Sequence, residues 1–85
     1  MFHHVKEVTP LADHVLLVRF ADGKEKQYDV KPLFTEIAVF QSLLYVDGLF
    51  EQVKVDPGGF GISWNDDIDL SCDELYDNGK ELAAA

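Results

Sequence analysis

The chain has 85 residues with 16 acidic and seven basic side chains, which gives a formal net charge of −9. This length fits one small domain, and 47% apolar residues with 12% aromatics exclude an intrinsically disordered or collagen-like chain. The negative charge argues against direct binding to nucleic acid or to an anionic membrane, because Lys and Arg contacts to phosphate supply most non-specific affinity.

The negative charge is concentrated in one part of the sequence. Residues 1–31 carry five acids and five bases, whereas residues 32–85 carry eleven acids and only two bases. An acidic region of this kind is a solubilising surface or a docking surface for a basic partner. A mimic of nucleic acid that occupies the site of a DNA-binding protein is a third interpretation, which rests on the charge alone.

Cysteine usage and hydropathy bear on the cellular compartment. Cys72 is the single cysteine, so neither an intrachain disulfide nor a cysteine metal site is expected. The first residues show no secretion signal, and the longest low-charge stretch, 37–46, is too short and too polar to cross a bilayer. We therefore predict a cytoplasmic protein that contacts no membrane.

Three strands are predicted in the first third of the chain. They comprise residues 2–8, 14–20 and 24–30. Residues 14–20 carry apolar side chains on both faces, which is typical of a strand in the middle of a sheet. The Asp22-Gly23 pair favours a two-residue type I′ turn between the second and third strands. In the third strand, Lys26, Tyr28 and Val30 share one face.

A helical segment is predicted to begin at Pro32, because proline lacks the amide hydrogen that a strand needs and its fixed φ suits a first helical turn. Four apolar residues recur at helical spacing and predict one helix that packs on the sheet. They are Ile37, Phe40, Leu43 and Leu44. A second short helical turn is expected over residues 49–52, with Phe50 packed against the first helix.

A second hairpin is predicted from residues 53–55 and 60–64. The residues between these strands, 56–59, read Asp-Pro-Gly-Gly and have the chemistry of a type II turn, with Pro and Gly at the two central positions. The alternation of the return strand places Phe60, Ile62 and Trp64 on one face.

The last quarter of the chain is predicted to hold an acidic loop, one helical turn and a tail. The loop comprises residues 65–69, Ser71 or Asp73 caps the helical turn, and residues 80–85 form a frayed tail. Residues 1–85 are thus expected to form a single α+β domain. Its antiparallel strands form two hairpins flanked by short helices, in the order β-β-β-α-α-β-β-α.

The acidic loop is the densest group of oxygen ligands in the sequence. Asp66, Asp67 and Asp69 are therefore candidates for a divalent-cation site beside Trp64. Their spacing does not match a calcium-binding loop, because Leu70 stands where the sharp turn needs glycine. Binding of a small ligand or a divalent cation at this loop is the alternative function.

No combination of residues in the sequence predicts an enzyme. His3 and His4 are adjacent and would point to opposite faces of a strand, so joint binding of one metal ion is not expected. The serines and the single cysteine have no local histidine partner for nucleophilic catalysis. We therefore expect a non-enzymatic protein that has no catalytic residues and uses no cofactor.

Protein interaction is the leading functional hypothesis. The aromatic residues of the last third of the chain form either part of the core or a binding surface. The candidate interaction residues are Trp64, Asp66, Asp69 and Tyr76. The first hairpin also offers a sheet edge to which a strand from another chain can add. The expected partner is another protein with a basic surface, or a second copy of this chain in a homodimer.

Short motifs spread over most of the chain match one family. They are Leu16 to Phe20 followed by Asp22-Gly23, Tyr28-Asp29-Val30 with Pro32-Leu33, Val39-Phe40 with Leu43, Leu49-Phe50 with Val53, Val55-Asp56, Ile62 and Trp64, Asp69-Leu70, and Leu75-Tyr76. Together these motifs resemble a family of small bacterial proteins catalogued as domain of unknown function 2442. The sequence Asn65-Asp66-Asp67 stands where relatives usually have a Pro-Asn-Gly-like turn.

The resemblance implies an α+β domain of antiparallel strands and short helices, and it brings no established activity or catalytic residues. Some relatives look as though they carry a helix-turn-helix DNA-binding segment after this domain. Others occur beside a second small protein in an arrangement like a toxin–antitoxin pair. The resemblance therefore fits an interaction or regulatory module that does not itself bind DNA.

Overall fold

The computed structural model describes residues 3–82, which form two antiparallel sheets and three short α-helices. The first sheet has the order β1-β2-β3-β7 and the second the order β4-β5-β6. The strands are β1 (Val5–Pro10), β2 (Val15–Phe20), β3 (Glu25–Asp29), β4 (Lys54–Val55), β5 (Gly61–Ser63), β6 (Asp69–Ser71) and β7 (Lys80–Glu81). The helices are α1 (Leu33–Glu36), α2 (Ser42–Tyr45) and α3 (Cys72–Asn78). The predicted α+β class is confirmed, and the predicted element order is roughly right.

Strand β2 lies in the middle of the first sheet, as its apolar sequence predicts. It pairs antiparallel with β1 on one side and with β3 on the other. Leu16, Val18 and Phe20 are fully buried, whereas the alternate side chains of β2 are only half-buried. Lys26, Tyr28 and the following Val30 are buried as well. The first sheet therefore packs one face on the core.

Four residues, 21–24, separate β2 from β3, so the prediction of a two-residue type I′ turn is wrong. The amide of Gly23 donates to Phe20 O and the amide of Phe20 donates to Lys24 O, both at 2.9 Å. Gly23 adopts a φ of +93°, and Asp22 is not among the residues with positive φ. A type I′ turn needs two successive residues with positive φ, but here only Gly23 of the Asp-Gly pair has one.

Strand β1 begins and ends later than predicted. Thr9 and Pro10, expected in a turn, pair with Leu17 and Leu16 of β2. Pro10 is tolerated because β1 is an edge strand, where a missing amide hydrogen breaks no ladder. The reversal to β2 is a tight turn in which the amide of Val15 donates to Ala12 O, and its two central residues, Asp13 and His14, have left-handed φ values of +60° and +57°. Phe2, which the prediction included, lies outside the described residues.

The segment after Pro32 is not the single helix that the spacing predicts. It forms α1, a 3₁₀ turn at Ala38–Gln41 and α2, because Ile37 has an extended backbone with φ −131° and ψ 106°. Phe34 and Leu43 are nine residues apart, which places them on opposite sides of a continuous helix. The break lets both reach the core, where they are 8% and 3% exposed.

Because of this break, the four apolar residues at helical spacing do not all face the core as predicted. Phe40 and Leu43 are buried as expected, but Ile37 and Leu44 are 43% and 44% exposed. The side-chain amide of Gln41 donates to Phe34 O at 2.9 Å and satisfies a carbonyl that a continuous helix would have satisfied through the backbone. Phe50 is buried as predicted, at the start of a 3₁₀ turn over Phe50–Gln52.

The second hairpin has the predicted type II turn. The amide of Gly59 donates to Asp56 O at 2.9 Å, and Gly58 has φ +81° and ψ −6°. Ile62 and Trp64 are buried, but Phe60 is 67% exposed. Phe60 has helical dihedrals just before β5 begins, so it does not follow the alternation of the strand as predicted.

The last quarter of the chain contains two short strands that were not predicted from the sequence. Asp69, the last residue of the predicted loop, is the first residue of β6, which pairs with β5. Ser71 caps α3 as predicted, because its hydroxyl accepts a hydrogen bond from Glu74 N at 3.1 Å. The predicted tail is wrong for Lys80 and Glu81, which pair with β3. Residues 83–85 lie outside the described part of the chain.

The two sheets share one hydrophobic core and meet at a close backbone approach. Strand β1 contacts β4 and β5, and Gly59 lies against the backbone of Val5. A Cβ atom on Gly59 would lie 2.7 Å from Val5 O, and Gly59 has a φ of +75°. Glycine is therefore required here both by space and by conformation.

Gly59→Ala is expected to lower the free energy of unfolding by about 2–4 kcal/mol, because it adds a steric clash to the cost of a left-handed alanine. Gly48→Ala is the matched control, since Gly48 has a φ of +79° and open space around its Cα. This control isolates the conformational cost of about 1 kcal/mol. Urea unfolding of both variants checks the difference, and equal losses would show that the two sheets do not meet closely at Gly59.

Candidate functional site

The acidic loop does not gather its carboxylates. Asp66, Asp67 and Asp69 are exposed, and Asp69 belongs to β6. The side-chain oxygen of Asn65 accepts hydrogen bonds from the amides of Asp67 and Ile68, both at 2.9 Å, and so shapes the loop. Within residues 3–82, no three His, Cys, Asp or Glu side chains lie close enough to hold a metal ion.

Trp64 is a core residue. It is 4% exposed, and its indole Nε1 donates to Phe50 O at 3.0 Å. Its ring lies 6.0 Å from the ring of Phe40 and 6.3 Å from that of Phe50. The candidate interaction residue Trp64 therefore connects β5 to the helical segment and presents almost no side-chain surface to a partner.

Tyr76 joins α3 to the first sheet. Its hydroxyl donates to Asp22 Oδ2 at 2.8 Å, and its ring stacks on His3 with centroids 3.5 Å apart. Lys26 Nζ lies 3.9 Å from the Tyr76 ring centroid and also donates to the Tyr76 carbonyl oxygen. The Lys24 amide and the Tyr76 hydroxyl both donate to Asp22 and hold the pKa of its carboxyl below the ordinary value. Tyr76 is thus engaged in intramolecular contacts.

The groups with potential catalytic chemistry lie in separate environments. His4 Nδ1 is 2.9 Å from Gly58 O, whereas the ring of His14 packs edge-on against Phe34 and Phe50. Cys72 is buried, and burial raises the pKa of its thiol, with Asp73 as a further cause. A thiol of this kind is a poor nucleophile. These positions offer no assembled catalytic group.

A cleft lies between β3, α1 and α3, and its volume is about 400 Å³. It is lined by Tyr28, Asp29, Pro32, Leu33, Glu36, Glu74 and Asn78. Three of these residues carry carboxylates and none is basic. Sequence reasoning missed the cleft, because its two groups of residues are more than 35 positions apart and no local motif marks them. Helix α3 brings them together by packing against β3.

Tyr28 is a buried residue of the cleft lining. It is 5% exposed, and its hydroxyl donates to Glu74 Oε2 at 2.8 Å. Burial is the largest cause that raises the pKa of the Tyr28 hydroxyl, followed by the hydrogen bond to Glu74 and the charges of Glu74, Glu36 and Asp29. The hydroxyl therefore remains a donor, and it holds the carboxylate of Glu74 beside the cleft.

A second feature is an apolar surface on the helical segment. Large hydrophobic side chains of the described residues that are exposed include Leu11, Phe60 and Leu82, and five more come from one ten-residue stretch. These five define the 37–46 surface: Ile37, Val39, Leu44, Tyr45 and Val46. Tyr45 and Val46 are 76% and 52% exposed. Residues 32–53 carry three acids and no base.

No helix in residues 3–82 has the length and apolar character needed to cross a membrane. The 37–46 surface consists of short turns whose other side chains fill the core. Its exposed apolar groups therefore belong to a folded surface.

The fluorescence of the single tryptophan tests whether Trp64 is buried. We expect acrylamide to quench its emission several-fold less in the native protein than in urea, because the ring is 4% exposed. N-acetyltryptophanamide provides the fully exposed control. Equal quenching of the native and the unfolded chain would place Trp64 at the surface and restore it as an interaction candidate.

Tyr28→Phe is expected to lower the free energy of unfolding by about 1 kcal/mol near neutral pH, because it removes a partly buried hydrogen bond to a carboxylate. The pKa of the Tyr28 hydroxyl is higher in the folded than in the unfolded chain. Its contribution to the free energy of unfolding is therefore complete below the ordinary pKa of 10.0 and declines as the pH rises above that value. The stability difference between the wild type and Tyr28→Phe should therefore shrink above pH 10.

Urea unfolding between pH 8 and pH 11 measures this difference. Tyr45→Phe is the matched control, since Tyr45 is 76% exposed and does not line the cleft. A stability difference for Tyr28→Phe that stays constant across this range would contradict the raised pKa.

Comparison with curated proteins gives no significant match, and comparison with solved structures gives none either. A family model described as "Protein of unknown function (DUF2442)" matches residues 5–81. The match begins at the first residue of β1 and ends at the last residue of β7, so it covers both sheets and all three helices. The chain belongs to the DUF2442 family.

Proposed function

We propose that the protein is a non-enzymatic, cytoplasmic interaction module whose 37–46 surface binds another protein. The observation that carries this proposal is the exposure of five large apolar side chains within ten residues. Monomeric proteins rarely leave large apolar surfaces in contact with water, and such surfaces mark interaction sites. Burial of an exposed Leu or Val in an interface is favourable by about 25 cal/mol per Å² of apolar area.

The way the segment is anchored supports the proposal. Leu33, Phe34, Phe40 and Leu43 of the same segment are buried in the core. The exposed side chains therefore extend from a backbone whose other side is fixed by packing. A surface held in this way loses little conformational freedom when a partner binds.

The charges around the surface favour a different protein over a second copy. Glu36, Asp47 and Glu51 are exposed and lie next to or close to the apolar residues in sequence. In a symmetric dimer the same surface would face itself and bring these acids together. A different protein with complementary charge avoids this repulsion. A regulatory complex of two small proteins is one setting for such a module.

The alternative of ligand or cation binding at the acidic loop finds no supporting contact among the described residues. Trp64 is inside the core, and the carboxylates of Asp66, Asp67 and Asp69 do not form a metal-binding group within residues 3–82. The aspartates at 65–69 fit the solubilising role of exposed charge.

The double variant Leu44→Ser/Val46→Ser tests the proposed function. In a quantitative pull-down from an extract of the source cells, we expect one protein to be retained by the wild type and to decrease about tenfold with the variant. Loss of apolar contact worth about 1.4 kcal/mol gives that factor.

Leu11→Ser is the matched control, because Leu11 is 36% exposed but lies outside the 37–46 surface. Circular dichroism establishes that all the variants fold. Retention that is equal for the wild type and the double variant would contradict the proposal, as would retention of nothing except this chain itself.

A further inference from the structure

We infer that the partner contributes a positively charged, amphipathic segment, whose apolar side chains cover the 37–46 surface while a Lys or Arg side chain enters the cleft beside Tyr28. This inference rests on the proposed function and specifies the partner of that site. Its basis is the position of α1: Glu36 ends the helix and lines the cleft, and Ile37, the next residue, begins the apolar surface.

The lining of the cleft has the two components that a Lys or Arg side chain needs. Pro32 and Leu33 supply apolar contacts for the aliphatic stem, and Glu36 and Glu74 supply carboxylates for the charged end. A volume of about 400 Å³ admits such a side chain together with some water. Within the described chain the carboxylates do not form a metal group, so the cleft suits an extended organic cation better than a compact ion.

Intramolecular partners leave part of this negative charge available. Asp29 Oδ1 lies 2.9 Å from Lys31 Nζ, so Asp29 is already paired. Glu74 accepts one hydrogen bond from the neutral hydroxyl of Tyr28, through Oε2. No ion pair among residues 3–82 involves Glu36 or Glu74. Their charges are therefore free to pair with an incoming base.

The surrounding charge complements the same kind of partner. Residues 32–53 contain Glu36, Asp47 and Glu51 without a single base. Such a field attracts a basic segment from a distance and repels an acidic one. The apolar side chains then supply the contact energy, while the cleft selects a cationic side chain at short range.

A peptide-display selection on the immobilised full chain tests the inference. The library contains random peptides of about 16 residues, or roughly four helical turns. We expect the enriched peptides to combine Lys or Arg with Leu, Ile or Phe. One enriched peptide, labelled with a fluorophore, is then titrated with the wild type and with four variants, and its Kd is measured by anisotropy.

Glu36→Gln and Leu44→Ser should each weaken binding of this peptide about tenfold, because one removes a charge-assisted contact and the other an apolar contact. Asp66→Asn and Leu11→Ser are the matched controls, since both residues are exposed and lie outside the cleft and the 37–46 surface. Both controls should bind within twofold of the wild type. Added salt should weaken peptide binding by the wild type more than peptide binding by Glu36→Gln.

The other outcomes overturn the inference in distinguishable ways. If the enriched peptides were neutral or acidic and bound more weakly to Leu44→Ser, the basic partner would be refuted. The proposed interaction surface would still be supported. Equal weakening by Glu36→Gln and Asp66→Asn would show attraction by net charge alone and no use of the cleft. Peptide binding that is unchanged by Leu44→Ser would refute both proposals. A selection that enriches no peptide would refute the basic segment as partner, and the pull-down would then decide the proposed function. Concentration-dependent dimerisation lost with Leu44→Ser would assign the surface to a second copy.

Discussion

The extended backbone at Ile37 is the constraint on which the candidate surface depends. Phe34 and Leu43 must both reach one core, and a straight helix would turn them to opposite sides. The break resolves this conflict, and Gln41 satisfies the Phe34 carbonyl that the break leaves without a helical partner. The same change of direction removes Ile37 and Leu44 from the buried face. The exposed apolar surface is therefore a direct consequence of how the core is filled.

Contacts on both sides of this segment keep it in place. Before it, the amide of Leu33 donates to Val30 O at 2.9 Å and connects α1 to the end of the first sheet. After it, Phe50 O accepts the indole hydrogen bond of Trp64 and connects the segment to the second sheet. The two sheets are in turn joined where Gly59 meets Val5. Trp64 thus acts on the candidate surface indirectly, by fixing the segment that presents it.

Local chemistry predicted the parts of the fold that depend on a few neighbouring residues. The type II turn at 56–59 and the Ser71 cap need only the dihedral preference of glycine and one side-chain oxygen. Strand β6 and strand β7 could not be predicted in this way. Each is only two or three residues long, too short to show a period, and forms because a partner strand is already in place. The cleft has the same origin, since Tyr28 and Glu74 meet only after α3 packs on β3.

The charge pattern of the sequence predicted a basic partner and named Asp66 and Asp69 of the acidic loop among its contact residues, but it did not predict the cleft. The densest acidic run, 65–69, is a solvated loop shaped by Asn65, whereas the carboxylates that face a cavity come from three separate elements. Charge spread over a surface attracts partners without selecting them, and it is screened within about 10 Å at 0.1 M salt. Carboxylates beside an apolar wall act at contact distance, where the shape and length of the cation matter. Glu36 belongs to the cleft and adjoins the apolar surface, so it is the residue through which charge and packing would act on the same partner.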